Sequence, residues 1–348
     1  MKRNLFFSLF LLPALLLLSG CGSSLTVDKL LCNNQLSPVG VEGKPVFRWT
    51  LTARGDDARV TAFEIKIEKE EGGRKKEEVS WRTGKVVMGD QVWIEYSGPE
   101  LEPATAYEWQ VRVWDQDDKP AAWSRESRFV TGIPDDQWSG ARWIGYESMP
   151  DSLRLVPGVH GSGDQLGDYL AVHRPVVPQF RKMVAVDRKV EEAFLFVSGL
   201  GHYTLTIDGK QPGNRFLAPG WTHYAKTCFY NGYEITPILG QGDHAVGITV
   251  GNGFFNINRE RYRKLVTAWG MPMMRMILVI RYADGTSERI VSDETWKAAP
   301  SPITYTSIYG GEDYDARLEQ PGWDKPGFDD SGWQAALSVR GPGGIMRC

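Results

Sequence analysis

Glu312, Asp313, Asp315 and Arg317 place three carboxylates and a guanidinium within six residues. Carboxylates held close together could serve as general acid and base. Asp315 and Arg317 lie two residues apart, so on a strand they would share a face and pair with each other instead. Trp221, His223 and Tyr224 follow directly on Pro219-Gly220 and offer an aromatic surface with polar edges. Such a surface stacks on the C–H face of a pyranose, and the same side chains serve equally to pack a loop. His202 falls on the strand face opposite Tyr203, Leu205 and Ile207, which predicts an exposed or edge histidine. Other chemistries find no support in the residues. Gly251-Asn252-Gly253 has no strand-then-helix context for a nucleotide, and no serine stands in a GxSxG string. There is no CxxC and no Cys/His spacing suited to zinc.

The elements that must position these residues read as strands. Phe63, Ile65 and Ile67 alternate with Glu64, Lys66 and Glu68, the period-two pattern of a half-buried strand. Tyr107, Trp109, Val111 and Val113 repeat it, and Trp123-Ser124 and Phe129 close the unit. Residues 22–133 therefore read as a small antiparallel sandwich of fibronectin type III kind, with residues 68–78 as an exposed charged hairpin loop. Residues 134–178 form a connector with a Gly-, Pro-, Ser- and Asp-rich inserted loop. Residues 179–338 hold buried runs such as Phe194-Leu195-Phe196-Val197. They also hold two Asp-Gly pairs, Asp208-Gly209 and Asp284-Gly285, that predict type I′ hairpin turns. This second unit reads as a jelly-roll sandwich, and residues 339–348 as an irregular tail. The fold class is all-β, since no segment has the length and periodicity of a helical bundle.

Composition agrees. Hydrophobic residues at 42% and charged residues at 24% place the chain among globular proteins rather than disordered ones. A net charge of −3 gives no reason to expect nucleic acid or an anionic membrane surface as partner. The N-terminus has its own signature. Lys2 and Arg3 precede a short apolar run that ends in Leu18-Ser19-Gly20-Cys21. A basic start, a short apolar core and small residues before a cut describe a secretory signal peptide. Leu-Ser-Gly-Cys resembles a lipobox, so residues 1–21 are expected to direct export and lipid attachment at Cys21. The product would be an outer-membrane lipoprotein facing the periplasm. Cys32, Cys228 and Cys348 do not read as a disulfide framework.

Several strings taken in order resemble one family. Tyr107-Glu108-Trp109-Gln110-Val111-Arg112-Val113-Trp114-Asp115 and Phe129-Val130-Thr131-Gly132 come first, then Ser198-Gly199-Leu200-Gly201-His202-Tyr203. Leu217-Ala218-Pro219-Gly220-Trp221-Thr222-His223-Tyr224 and Gly251-Asn252-Gly253-Phe254 follow, and Tyr309-Gly310-Gly311-Glu312-Asp313-Tyr314-Asp315-Ala316-Arg317 and Pro321-Gly322-Trp323 close the series. Together they resemble the N-terminal modules of glycoside hydrolase family 78, the bacterial α-L-rhamnosidases.

The resemblance implies inverting hydrolysis of terminal α-L-rhamnose in an (α/α)6 barrel C-terminal to these modules. Inversion needs an acid and a base roughly 6.5–9.5 Å apart, and the family's pair belongs to the barrel. No residue here is expected to inherit a catalytic role. The catalytic domain is expected outside this chain, and residues 339–348 depart from the family's expected continuation. Three expectations follow for sites. Trp221, His223 and Tyr224 would stack on rhamnose. Glu312, Asp315 and Arg317 would face the barrel and its rhamnose-containing glycan. Asp208, Asn214 and Asn252 would supply oxygen ligands to a calcium ion, as some relatives bind rhamnose through calcium. The two functional alternatives are a non-catalytic part of a rhamnosidase and a stand-alone rhamnose-binding lipoprotein.

Overall fold

The computed structural model describes residues 23–54, 57–71, 74–75, 80–91, 93–156, 176–257 and 267–348. The leader with Cys21 lies outside them, as do residues 157–175 of the inserted loop. Among the described residues helix is confined to 3-10 turns such as Asp135–Trp138 and Ala316–Leu318, and the rest of the regular structure is strand.

The first sandwich sets a three-stranded sheet against a larger one. The small sheet runs Leu25–Cys32, Val46–Ala53, Ile94–Glu95. The large one is built on Val39–Val41, Ser127–Thr131, Ala106–Trp114 and Ala62–Glu71. Alternation decides what lies between them: Phe47, Phe63, Ile65, Ile67, Trp109, Val111, Val113 and Phe129 are all buried. Burying a side chain of this size contributes about 1.5–3 kcal/mol. The outward face carries one exception. Glu64 points away from that core yet is only 4% exposed. Arg112 donates to it at 2.6 Å and Arg82 stands 3.7 Å away. Both guanidinium groups also lie over the Trp123 ring, so a charged ladder covers the sheet where solvent would otherwise be.

In the second sandwich one sheet runs Asn231–Glu234, Val190–Leu200, Met273–Tyr282, Ile144–Gly145, Leu337–Ser338, with Ser287–Val291 also on Met273–Tyr282. The facing sheet runs His202–Ile207, Gly242–Gly251, Pro178–Val186, Lys297–Pro300, Gln334–Ala335. Sheet neighbours are rarely chain neighbours, because the chain crosses between sheets as a jelly roll does. The two Asp-Gly turns differ. Asp208 and Gly209 both have positive φ, at 52° and 78°, as a type I′ turn requires. At the second turn only Gly285 does, at 82°. There Asp284 accepts from the Thr286 amide at 2.9 Å, an Asx turn within a longer loop, which corrects the expectation of two equal hairpins.

The two sandwiches share one apolar seam. Ala104, Val130 and Ile133 from the first pack with Phe194, Phe196, Tyr230 and Phe255 from the second, around Trp138 of the connector. Charges cross it as well. Arg128 binds Glu70 on its own sandwich and Glu234 on the other, and Arg281 donates to the Ala104 carbonyl at 2.7 Å. The C-terminal residues enter the same seam, contrary to an irregular tail. Ile345–Arg347 pairs in parallel with Thr227–Phe229, and Met346 is fully buried. Its amide donates to Asp135 at 2.6 Å, while the Cys348 amide donates to Glu42 at 3.1 Å. A buried methionine just beyond Pro342, Gly343 and Gly344 ties the chain down.

Candidate glycan-binding end of the second sandwich

Strands His202–Ile207 and Gly242–Gly251 pair antiparallel, so His202 and the residues after Gly251 emerge at one end of the sandwich. Two glycines let the backbones meet there. A Cβ on Gly201 would stand 2.1 Å from the Asn252 carbonyl oxygen, and one on Gly253 3.0 Å from the His202 ring. A third segment closes in from the hairpin Ile303–Ser307/Gly311–Tyr314. The Thr306 hydroxyl accepts from the Asn252 amide at 3.0 Å, and the Asn252 side chain donates to the Thr306 carbonyl at 2.8 Å.

This framework presents aromatic side chains. Trp221 stacks on Phe254 with ring centres 4.5 Å apart and planes within 16°. Phe254 in turn meets the edge of Tyr309 at 6.2 Å. Trp221 remains 58% exposed, and beside it in the chain Phe216 is 87% and Leu217 54% exposed. One face of the indole is therefore braced while the ring stays open to solvent. His202 sits under this end rather than on an exposed edge. Its ring is half-buried and its Nδ1 is enclosed without a hydrogen-bond partner. Burial lowers its pKa, opposed by the backbone of Ala218, Pro219 and Leu217.

The sequence-predicted residues divide. Trp221 and His223 are on the surface, with His223 edge-on to Trp269 at 5.2 Å. Tyr224 is not: it is 3% exposed, packed edge-on against Phe255 and Trp269, and burial pushes its hydroxyl well up. It belongs to the seam between sandwiches and offers no stacking face. Phe254 and Tyr309, which complete the platform, were visible only as members of longer strings.

Glu312 is exposed on the hairpin. Asp315 and Arg317 do pair, but across a 3-10 turn rather than along a strand. Asp315 caps Ala316–Leu318 by accepting from the Arg317 amide at 3.1 Å, and takes the guanidinium at 2.8 and 2.7 Å. That side-chain bond holds the Asp315 carboxyl down at about 2, so it has no proton to donate near neutrality. The pair cannot be an acid and a base.

The calcium set does not converge. Asp208 follows Ile207, whereas Asn252 lies beside His202; a six-residue strand puts about 20 Å between them. Asp208 is already engaged, accepting from the Ala245 amide at 2.8 Å and meeting His244 Nδ1 at 2.7 Å. Asn252 is bound to Thr306, and Asn214 is on an exposed loop. Among the described residues no group of three or more His, Cys, Asp or Glu could hold a metal ion. Cys32 and Cys228 are buried and unpaired, and burial pushes both thiols up to about 12.

Comparison with known proteins places this geometry. Residues 188–347 match the α-L-rhamnosidase N-terminal domain, and residues 27–135 match the Rha78A-like N-terminal immunoglobulin domain. The chain carries the two N-terminal modules of the α-L-rhamnosidases. An α-L-rhamnosidase of Formosa agariphila is 32% identical over 320 residues, covering 89% of this chain and 33% of the relative. One from Alteromonas sp. is 28% identical over 318 residues, covering 90% of this chain and 33% of the relative. The chain thus spans about a third of the length of the curated rhamnosidases it matches. Among solved structures, the α-L-rhamnosidase of Dictyoglumus thermophilum superposes with a TM-score of 0.76 at 32% identity, covering 94% of this chain and 35% of that one. The Streptomyces avermitilis α-L-rhamnosidase complexed with L-rhamnose shares the fold, with a TM-score of 0.78 at 23% identity over 93% of this chain and 46% of that one. The matched N-terminal domain runs to residue 347. Residues 339–347 therefore belong to the rhamnosidase module and do not depart from it, in accord with their place in the seam.

Proposed function

We propose that this chain is the non-catalytic N-terminal part of an α-L-rhamnosidase and that its second sandwich binds rhamnose-containing glycan through Trp221. The observation that carries the reading is the indole itself. A tryptophan 58% exposed and stacked at 4.5 Å on Phe254 is held ready without having to be ordered on binding. A 6-deoxy sugar such as rhamnose presents a methyl group and axial C–H bonds to such a ring, leaving its hydroxyls for polar neighbours. In the intact enzyme, hydrolysis of terminal α-L-rhamnose falls to the family's barrel, and these modules hold the glycan beside it. Residues 22–348 incubated with an aryl α-L-rhamnoside should release nothing above the blank; release would place chemistry on these modules and overturn the division of labour.

Calorimetric titration of residues 22–348 with L-rhamnose and a rhamnose-containing oligosaccharide tests the platform. Binding that Trp221→Ala abolishes supports it, and flat heats sink it. Calcium should make no difference, since the candidate ligands stand apart. Export as a lipoprotein anchored through Cys21 is part of the proposal and has its own test. Radiolabelled palmitate should enter the expressed protein and be lost with Cys21→Ser; unlabelled wild type would refute the anchor.

A further inference from the structure

The first sandwich has an open side. Its large sheet ends there in the short strands Trp81–Arg82 and Val86–Val87, both paired to Ala62–Glu71. Its small sheet ends in Ile94–Glu95, paired to Val46–Ala53. Between these edges lies a cleft of about 440 Å3, with Phe63 behind it. Ligand pockets span roughly 300–1,000 Å3, so the space suits a sugar unit or two.

Two indoles line the cleft. Trp93 is 58% exposed, the same degree as Trp221. Trp81 is half-buried and braced edge-on by Tyr96 at 4.7 Å. The brace is close: a Cβ on Gly98 would stand 2.5 Å from both Trp81 Cδ1 and the Tyr96 hydroxyl. Gln91, Glu95 and Ser97 add an amide, a carboxylate and a hydroxyl to the lining. Arg82, the cation among the lining residues, is engaged elsewhere, 3.7 Å from Glu64 and over the Trp123 ring at 5.8 Å. Glu95 is itself matched by Lys44 at 3.7 Å. The chemistry on offer is thus ring faces for C–H surfaces and planar polar groups for hydroxyls, with no uncommitted cation for an anionic ligand.

We infer that this cleft is a second glycan-binding site, taking neutral pyranose units of a polysaccharide chain on Trp81 and Trp93. It stands independently of the Trp221 platform, because the two aromatic groups belong to different sandwiches. Joined through the shared apolar seam, two weak sites on one body would hold a long glycan more firmly than either alone.

The test uses the whole chain with its thirteen tryptophans labelled at the indole nitrogen. The indole N–H signals of Trp81, Trp93 and Trp221 are assigned by single substitutions, and the probe is a neutral rhamnose-containing oligosaccharide. The Trp81 and Trp93 signals should move together while that of Trp109, in the core, stays fixed. Trp93→Ala should weaken binding about tenfold, and Trp93→Phe should restore part of it. Because Trp93 is a surface residue, loss of binding with an unchanged Trp109 signal is not unfolding. If Trp221 moves and Trp81 and Trp93 do not, this inference falls and the platform remains. If Trp93 moves and Trp221 does not, the platform falls and the cleft remains. If none moves, both are refuted.

Discussion

His202 and His244 stand at opposite ends of the paired strands His202–Ile207 and Gly242–Gly251, in one sheet and on one scaffold. At the far end His244 is fully engaged. Its Nδ1 meets Asp208 at 2.7 Å and its Nε2 meets the Gly240 carbonyl at 2.8 Å. Nearby, Asp208 also accepts the Ala245 amide, so turn, strand and side chains satisfy one another. At the near end His202 has an enclosed Nδ1 with no partner, and Trp221, Phe216 and Leu217 are held out to solvent. Unpaired buried polar atoms and exposed aromatic rings are both unfavourable for a folded monomer. One end is satisfied within the fold; the other keeps an unpartnered nitrogen and exposed apolar surface, which is what the proposed binding role requires.

The sharpest way to break this comparison is to close the gap that makes the open end possible. Gly201→Ala would drive a Cβ to within 2.1 Å of the Asn252 carbonyl oxygen. The backbone on both sides would have to give, at a cost of about 3 kcal/mol. Urea unfolding should show the midpoint fall; an unchanged midpoint would mean that close approach of these segments is not needed.

Trp221→Ala comes next and should separate binding from folding. Affinity for the oligosaccharide should fall at least tenfold, about 1.4 kcal/mol. Stability should move by no more than about 0.5 kcal/mol, because the indole is mostly solvated. A large loss of stability would instead make Trp221 a packing residue.

Asp208→Ala tests the satisfied end. Removing the carboxylate leaves the Ala245 amide and the His244 ring without their partner, for about 1–2 kcal/mol. Glycan binding should be untouched, since Asp208 is a strand's length from the platform. Reduced binding would mean that the two ends are coupled.

How much of this could be read from the residues alone depends on how far apart the partners are in the chain. Ala106–Trp114 was legible because alternation is local, and burial follows it position by position. Glu64 obeyed the same alternation and still ended buried, since the arginines that cover it come from positions 82 and 112. Trp221 was legible as a candidate, but its brace Phe254 lies 33 residues on and Tyr309 further still. No local signal joins them. Tyr224 misled for the same reason: its environment, Phe255 and Trp269, is set by the seam and not by its neighbours in sequence. The calcium set failed because Asp208 and Asn252 sit a strand's length apart and already have partners. Residues near in type were assembled as though near in space.

The open end should also respond to acid. Burial holds the His202 pKa below the ordinary histidine value of about 6.5. Its stabilising contribution is therefore fully present above that value and is lost as pH falls through the lower folded one. Below pH 6, chemical denaturation should show the parent losing stability faster than His202→Phe. Parallel curves would mean that the enclosed Nδ1 carries no penalty on protonation.

Asp315→Asn should have the smallest effect, and its smallness is informative. The Asp315–Arg317 pair has ideal bidentate geometry, but it is local and Arg317 is 88% exposed. Exposed pairs of this kind contribute little at ordinary salt. The carboxyl is held at about 2 by Arg317, so whatever it contributes is present above the ordinary carboxylate value, about 3.9, and disappears only as pH falls through about 2. At pH 7 the variant should match the parent in denaturation midpoint and in oligosaccharide affinity. A tenfold loss of affinity with the midpoint unchanged would move the glycan's contacts from Trp221 towards the hairpin, and the open end would then have to be drawn to include Glu312 and Arg317.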